Sequence, residues 1–207
     1  GDTVMGVFLD TYQNLTLKAV MGLRWLSDTC HDIRLLIKMD DDVFFNVHKF
    51  FYNYWRKMPY SKRTNSIHCN LWHNAQVFRT GKWKVEKGLF ANSSYNFPYC
   101  SGFFVVISSN LINTLYKHSK TIDFFWIDDV FLYGMVTEAV GGVRFYQLGA
   151  KEELVSDSYE TFQKCIIKGR RCRTWAVLTD GEGEFDAEYK RRFSRTSLSK
   201  QNVVKSS

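Results

Sequence analysis

The chain opens with an alternating apolar segment, Thr3 to Leu9, whose pattern predicts a strand. Asp10 then stands where a helix cap would, and Tyr12, Leu15, Ala19, Gly22, Leu23 and Leu26 recur at helical spacing. The run from Ile33 to Met39 is apolar enough for a buried strand, so strand, helix and strand predict a βαβ unit. A second helix is expected from about Asn46, carrying Phe50, Phe51, Tyr54 and Trp55 to the core. After Pro59 the pattern reads as loop, apart from Lys82 to Val85, which alternates as a short strand would, and Asn92 to Pro98 is rich in turn formers. Cys100 to Ile107 is β-branched and aromatic and predicts another buried strand of the same sheet, followed by an amphipathic helix from Ser109 to about His118. A further helix is expected from Asp128-Asp129 to the stop at Gly141-Gly142, and Val143 to Leu148 reads as the last strand. Beyond Gly149 the pattern weakens, and the polar, basic residues 190–207 predict a loose tail behind a single domain, 1–189.

Composition narrows this picture. With 45% hydrophobic and 16% aromatic residues in 207, the chain has enough apolar surface for one sizeable core, which excludes general disorder. No uninterrupted apolar stretch reaches the roughly 20 residues that span a bilayer. The chain starts without Met in what reads as a strand, so an N-terminal portion is expected to precede it. A net charge of +7 admits nucleic acid, acidic membranes or an anionic small molecule as partners, without choosing among them. The basic concentrations at Lys168 to Arg173 and Lys190 to Arg192 read as solvated surface. Cys30, Cys69, Cys100, Cys165 and Cys172 form no CxxC or Cys/His pattern, which argues against structural zinc, and their odd number leaves at least one thiol free or paired elsewhere. Two sequons, Asn14-Leu15-Thr16 and Asn92-Ser93-Ser94, together with the cysteines, lean towards an oxidising lumen.

The candidate chemistry lies at the end of the Ile33 to Met39 run, where Asp40, Asp41 and Asp42 follow one another. If the strand continues, Asp40 and Asp42 point to one side and Asp41 to the other, so two carboxylates converge. Like charges this close call for a counter-charge, which a hard, oxygen-preferring divalent cation supplies; a solvated acidic turn is the competing reading. Asp128-Asp129 stand at a helix start, where the macrodipole favours negative charge and a purely capping role is an even reading.

Taken in order, Phe8 to Lys18, Lys38 to Asn46, Lys82-Trp83, Phe97 to Gly102 and Asp128 to Phe131 resemble the beta-1,3-galactosyltransferase family, which includes beta-1,3-N-acetylglucosaminyltransferases. The resemblance covers residues 1 to about 148 and implies an A-type glycosyltransferase fold, a Rossmann-like α/β/α sandwich with a mixed sheet. It further implies an inverting, Mn²⁺-dependent transferase that moves galactose from UDP-galactose, or N-acetylglucosamine from UDP-N-acetylglucosamine, to a glycan acceptor in β-1,3 linkage. On the same resemblance Asp40 and Asp42 hold the metal, Asp40 and Asp41 help hold the donor, and Lys82, Trp83, Tyr99 and Gly102, with Pro98, line the donor sugar and acceptor region. Asp129 is the implied catalytic base and Asp128, which stands where the family has Glu, its assistant. A Golgi location with a lumenal catalytic domain follows from the resemblance, with membrane anchoring through sequence outside this chain.

The chain departs from the family pattern in lacking donor-binding sequence ahead of Asp10 and in having no His after His118 to serve as a metal ligand. A catalytically incomplete, sugar-binding member is the main alternative, although Asp129 is present. A haloacid-dehalogenase-like phosphatase also places Asp-x-Asp after a strand, but Phe44 stands where its Thr would be. A nucleic-acid-binding module has the charge but no matching motif.

Overall fold

A computed structural model describes residues 3–160, 163 and 173–179. The central sheet has the order β1 (Leu35–Met39), β4 (Tyr99–Ser108), β3 (Ser66–Trp72), β5 (Arg144–Gln147). β4 runs antiparallel to both of its neighbours, β1 and β3, and β5 runs parallel to β3, so the sheet is mixed, as expected. Strand β4, ten residues long, is the spine, because its Phe104 and Val106 face one side while Val105 and Ile107 face the other.

One face is covered by α1 (Leu15–Thr29), α3 (Ser109–Ser119) and α4, which opens as Asp128–Val130, widens into a π-helical stretch at Phe131–Val136 and closes as Thr137–Val140. Leu23, Leu111, Leu115, Phe131 and Val136 pack there against Ile67, Val105 and Ile107. The other face carries α2 (Val47–Asn53) and a second sheet of order β2 (Val43–Phe45), β7 (Ala176–Leu178), β6 (Val155–Ser156). Phe50, Trp55, Phe104, Val106 and Trp175 fill the space between the two sheets. These two buried layers make the molecule an α/β sandwich, the fold class read from the sequence. None of the described helices is long and apolar enough to cross a membrane.

Several expected elements fall differently. Thr3 to Leu9 forms no strand; Met5, Val7 and Leu9 are exposed, with no strand paired to them among the described residues, so the expected βαβ unit does not form there. Helix α1 is entered through a 3₁₀ turn at Tyr12–Asn14, and Asp10 pairs with Lys18 rather than capping the helix. Asn46 does cap α2, accepting from the Lys49 backbone N–H at 2.9 Å. Lys82 to Val85 is a turn and extended loop. The segment after Pro59 holds β3, and β6 and β7 follow the strand expected to be last. Cys69 and Cys100 form a disulfide between β3 and β4, leaving Cys30 as a free thiol; Cys165, Cys172, most of the first basic cluster, the second cluster and the expected tail lie outside the described residues.

Candidate active site

The strand that delivers the acids stops one residue before them. β1 ends at Met39, Asp40 donates its N–H to the Phe103 carbonyl at 3.1 Å, and Asp40 to Asp42 turn the chain into β2. Strand alternation therefore does not arrange the triplet, and all three acids line one cleft of about 830 Å³. Asp41 is exposed, Asp40 is half-exposed, and Asp42 is partly buried, with its Oδ1 shielded from solvent and without a hydrogen-bond partner. The turn is fastened from behind by the C-terminal part of the chain: Thr179 donates its N–H and hydroxyl to the Asp42 carbonyl. Among the described residues no three His, Cys, Asp or Glu side chains form a ready-made metal cluster.

On the opposite wall α4 starts with Asp128 and Asp129. Gly102, on β4, donates its N–H to Asp129 Oδ2 at 2.7 Å. A side chain at position 102 has no room, because a Cβ there would lie 1.8 Å from Asp129 Oδ1. Asp129 is only partly exposed, and its desolvation, reinforced by the neighbouring Asp128 carboxylate, pushes its pKa up to about 7 against the lowering effect of Lys38 and the Gly102 hydrogen bond. Burial likewise raises Asp128, again opposed by Lys38. A carboxylate that titrates near neutrality can both hold and accept a proton under physiological conditions.

An aromatic wall closes one side. The Tyr12 and Trp83 rings are 5.1 Å apart, Trp83 and Trp126 lie nearly parallel at 6.1 Å, and Lys82 Nζ sits 4.4 Å from the Tyr12 ring centroid and 5.1 Å from that of Trp83. Tyr12 is pushed up to about 12, by burial first and then by the negative charge of Asp128, Asp129 and Asp40. The cleft thus gathers Asp40, Asp41, Asp42, Lys82, Trp83, Gly102, Asp128 and Asp129 from the sequence-derived candidates. Tyr99 is not among its lining residues; it is buried in the core against Tyr95 and Trp72. The structure adds Tyr12, Lys38 and Tyr133 to the lining. Lys38 was legible as a cation inside an apolar strand two residues before an acid; Tyr133 carried no separate signal.

Residues 1–147 match the model of the galactosyltransferase family. Human beta-1,3-galactosyltransferase 1 is 29% identical over 150 residues, covering 72% of this chain and 45% of that protein. Human N-acetyllactosaminide beta-1,3-N-acetylglucosaminyltransferase 2 is 32% identical over 158 residues, covering 73% and 40%. The chain spans less than half the length of these curated relatives. A solved glycosyltransferase involved in the glycosylation of the major capsid of PBCV-1 is similar over 92% of this chain and 81% of its own, at 9% identity and a TM-score of 0.47, a likeness too distant to bear on the chemistry.

Proposed function

The chain belongs to the galactosyltransferase family, and we propose that it forms the catalytic core of an inverting β-1,3-hexosyltransferase moving galactose or N-acetylglucosamine from a UDP-sugar to a glycan hydroxyl. The observation that carries this reading is that Asp129, a partly buried carboxylate raised to about 7, lines the same cleft as the Asp40 to Asp42 turn. The cleft thus holds both a base and a turn of acids that can receive a metal-bound diphosphate.

In the reaction, Asp129 Oδ2 stays on the Gly102 N–H, which leaves Oδ1 to take the proton of the acceptor hydroxyl. As that proton leaves, the hydroxyl oxygen forms its bond to the anomeric carbon, and the bond to the diphosphate breaks on the opposite side. Direct displacement inverts the centre and needs no covalent enzyme intermediate. Asp128 raises the basicity of Asp129 by placing a second negative charge beside it. Lys82, Trp83 and Tyr12 form a wall of rings and one cation on which sugar and phosphate groups can rest.

Asp40 and Asp42 would hold a divalent ion, Mn²⁺ on the family resemblance, and the residues fit it: a buried carboxylate oxygen without a hydrogen-bond partner suits a hard cation. Such an ion, when bound, neutralises the charge that develops on the departing UDP. Asp41 lies beside them at the exposed rim and is assigned to the donor. A Golgi lumenal location accords with the Cys69–Cys100 disulfide, since disulfides persist in oxidising compartments.

A donor screen tests the proposal. Transfer to β-galactoside and N-acetylglucosaminide acceptors is measured with UDP-galactose, UDP-N-acetylglucosamine and other UDP-sugars, with Mn²⁺ or EDTA. Transfer from one of the first two, lost in EDTA, is expected. A folded protein that neither binds nor uses any UDP-sugar in Mn²⁺ would overturn the reading.

A further inference from the structure

Lys38 stands between the two groups of acids. It projects from β1, and its Nζ donates to Asp40 Oδ1 and to the Gly102 carbonyl, both at 2.6 Å. Gly102 in turn donates its N–H to Asp129 Oδ2 at 2.7 Å. A continuous path of three short hydrogen bonds therefore runs from the acid turn, through one lysine and one glycine backbone, to the carboxylate on α4.

The register explains why lysine is needed here. β1 and β4 are antiparallel, with Lys38 opposite Val105, so Gly102 lies three residues further along β4 and beyond the reach of a short side chain on β1. The four-carbon stem of Lys38 spans that gap, and the ammonium has three donors, of which two are used. Gly102 cannot carry a side chain of its own, because the Asp129 carboxylate fills that space, so its backbone is the connection available.

We propose that Lys38 is a positioning residue that locks Asp40 and the Gly102 backbone together and thereby fixes and electrostatically supports the base Asp129. This deepens the transferase reading, and the orienting role rests on it. Buried acids grouped at one cleft disfavour one another's ionisation, and an ammonium fixed among them offsets that. The charged and titratable groups that face Asp129 are Asp128 on its own helix, Lys38 and Asp40 from the end of β1, Tyr12 from the turn before α1, Tyr99 from β4 and Tyr133 from the next turn of α4. Among these groups Lys38 carries the positive charge.

The test follows the Asp129 carboxyl by NMR in aspartate-labelled protein, alongside transfer rates from pH 5 to 9, for wild type, Lys38→Met and Lys38→Arg. In Lys38→Met the Asp129 midpoint is expected to rise by about one pH unit or more. The acid limb of kcat should move with it, and kcat at pH 7 should fall at least ~5-fold while donor KM changes less. Lys38→Arg, which keeps charge and donors, should restore most of both. Should Lys38→Met fail to fold, Lys38→Gln replaces it, with the same shift expected from loss of the charge. An unchanged Asp129 midpoint in a folded neutral variant, or an arginine variant no better than methionine, overturns the assignment. Titration needs no sugar, so it judges Lys38 even if the wild type transfers nothing, a result that would overturn the transferase reading alone.

Discussion

Thr179 donates both its backbone N–H, at 2.8 Å, and its hydroxyl, at 2.7 Å, to the carbonyl oxygen of Asp42. The acid turn is thus clamped by a strand that follows it by more than a hundred residues and lies outside the family-matched segment. Sequence distance hides this contact, but β2 and β7 pair in register from Val43 with Leu178 to Phe45 with Ala176, which brings Thr179 against Asp42.

Thr179→Val removes the hydroxyl while keeping the N–H. A loss of about 1 kcal/mol of stability is expected. Mn²⁺-supported UDP affinity should fall roughly 3- to 10-fold as the Asp42 turn loosens. Thr179→Ser should behave as wild type in both. Calorimetry and melting curves read the two effects, and unchanged UDP affinity in Thr179→Val would separate the clamp from the site.

The strands with continuous apolar runs were legible, and so were the helices with a clear stripe, because β4, α1 and α3 bury surfaces whose period is visible in one dimension. β3 was not, although Ile67, Cys69 and Leu71 alternate, because Ser66 and His68 between them look like loop residues. Both are buried polar groups with partners far along the chain: Ser66 N–H donates to Ser108 Oγ, and His68 Nδ1 meets the Tyr54 hydroxyl at 2.7 Å. β7 was missed for a similar reason, since a three-residue strand next to basic sequence is apolar too briefly to stand out. The opposite error occurred at Thr3 to Leu9, where alternation without a partner strand leaves the side chains exposed. In the site, residue types marked the acids, but the Lys38 path and the Thr179 clamp depend on which strands pair.

The buried His68 makes stability depend on acid. It is enclosed by Tyr54, Ser66 and Tyr146, and burial lowers its pKa from 6.5 to about 4. The unfolded chain then binds a proton at this site between these values that the folded chain does not, so the contribution of His68 to stability is complete above about 6.5 and declines as pH falls towards about 4. The loss amounts to about 2 to 3 kcal/mol at most. Denaturant unfolding from pH 8 to 4 should show His68→Gln gaining on wild type as pH falls from about 6.5 towards 4, a difference in which the opposite contribution of Asp129 cancels.

Gly102→Ala tests the close approach at the base. The added methyl would lie 2.6 Å from Asp129 Cγ, so the carboxylate must swing away or β4 must shift. Overpacking of this kind costs about 1 to 3 kcal/mol. Transfer should fall by roughly 10² or more, as for a displaced base. Mn²⁺-supported UDP binding, which rests on Asp40 and Asp42, should stay within a few-fold of wild type, since the added methyl meets Asp129. A loss of UDP binding as large as the loss of transfer would place Gly102 in the donor site.

Asp129 and Asp128 share a helix start and a raised pKa, so their replacement separates catalysis from capping. A purely capping role predicts losses of about 0.5 to 2 kcal/mol for each, unconnected with turnover. The Asp128 carboxylate accepts from the backbone N–H groups of Asp128 and Asp129 at this helix start, whereas Asp129 accepts from Gly102 on another element. Asp129→Asn should therefore fold, bind donor and lose transfer by roughly 10² to 10⁴-fold, whereas Asp128→Asn should lose less and shift the acid limb of the rate profile downward, since the charge that raises Asp129 is gone. The wild-type rate itself should decline as pH falls through about 7, where Asp129 takes up its proton. Stability should move the opposite way. The folded pKa of Asp129 lies above its ordinary 3.8, so the contribution of Asp129 to stability declines as pH rises from about 4 through about 7, opposite in sign to that of His68, and Asp129→Asn escapes that decline. Melting curves should show the variant gaining on wild type over that interval and keeping the advantage above it, a more stable protein with a silenced base. Near-normal turnover in Asp129→Asn, or an equal loss in both variants, would move the base to another carboxylate of the cleft.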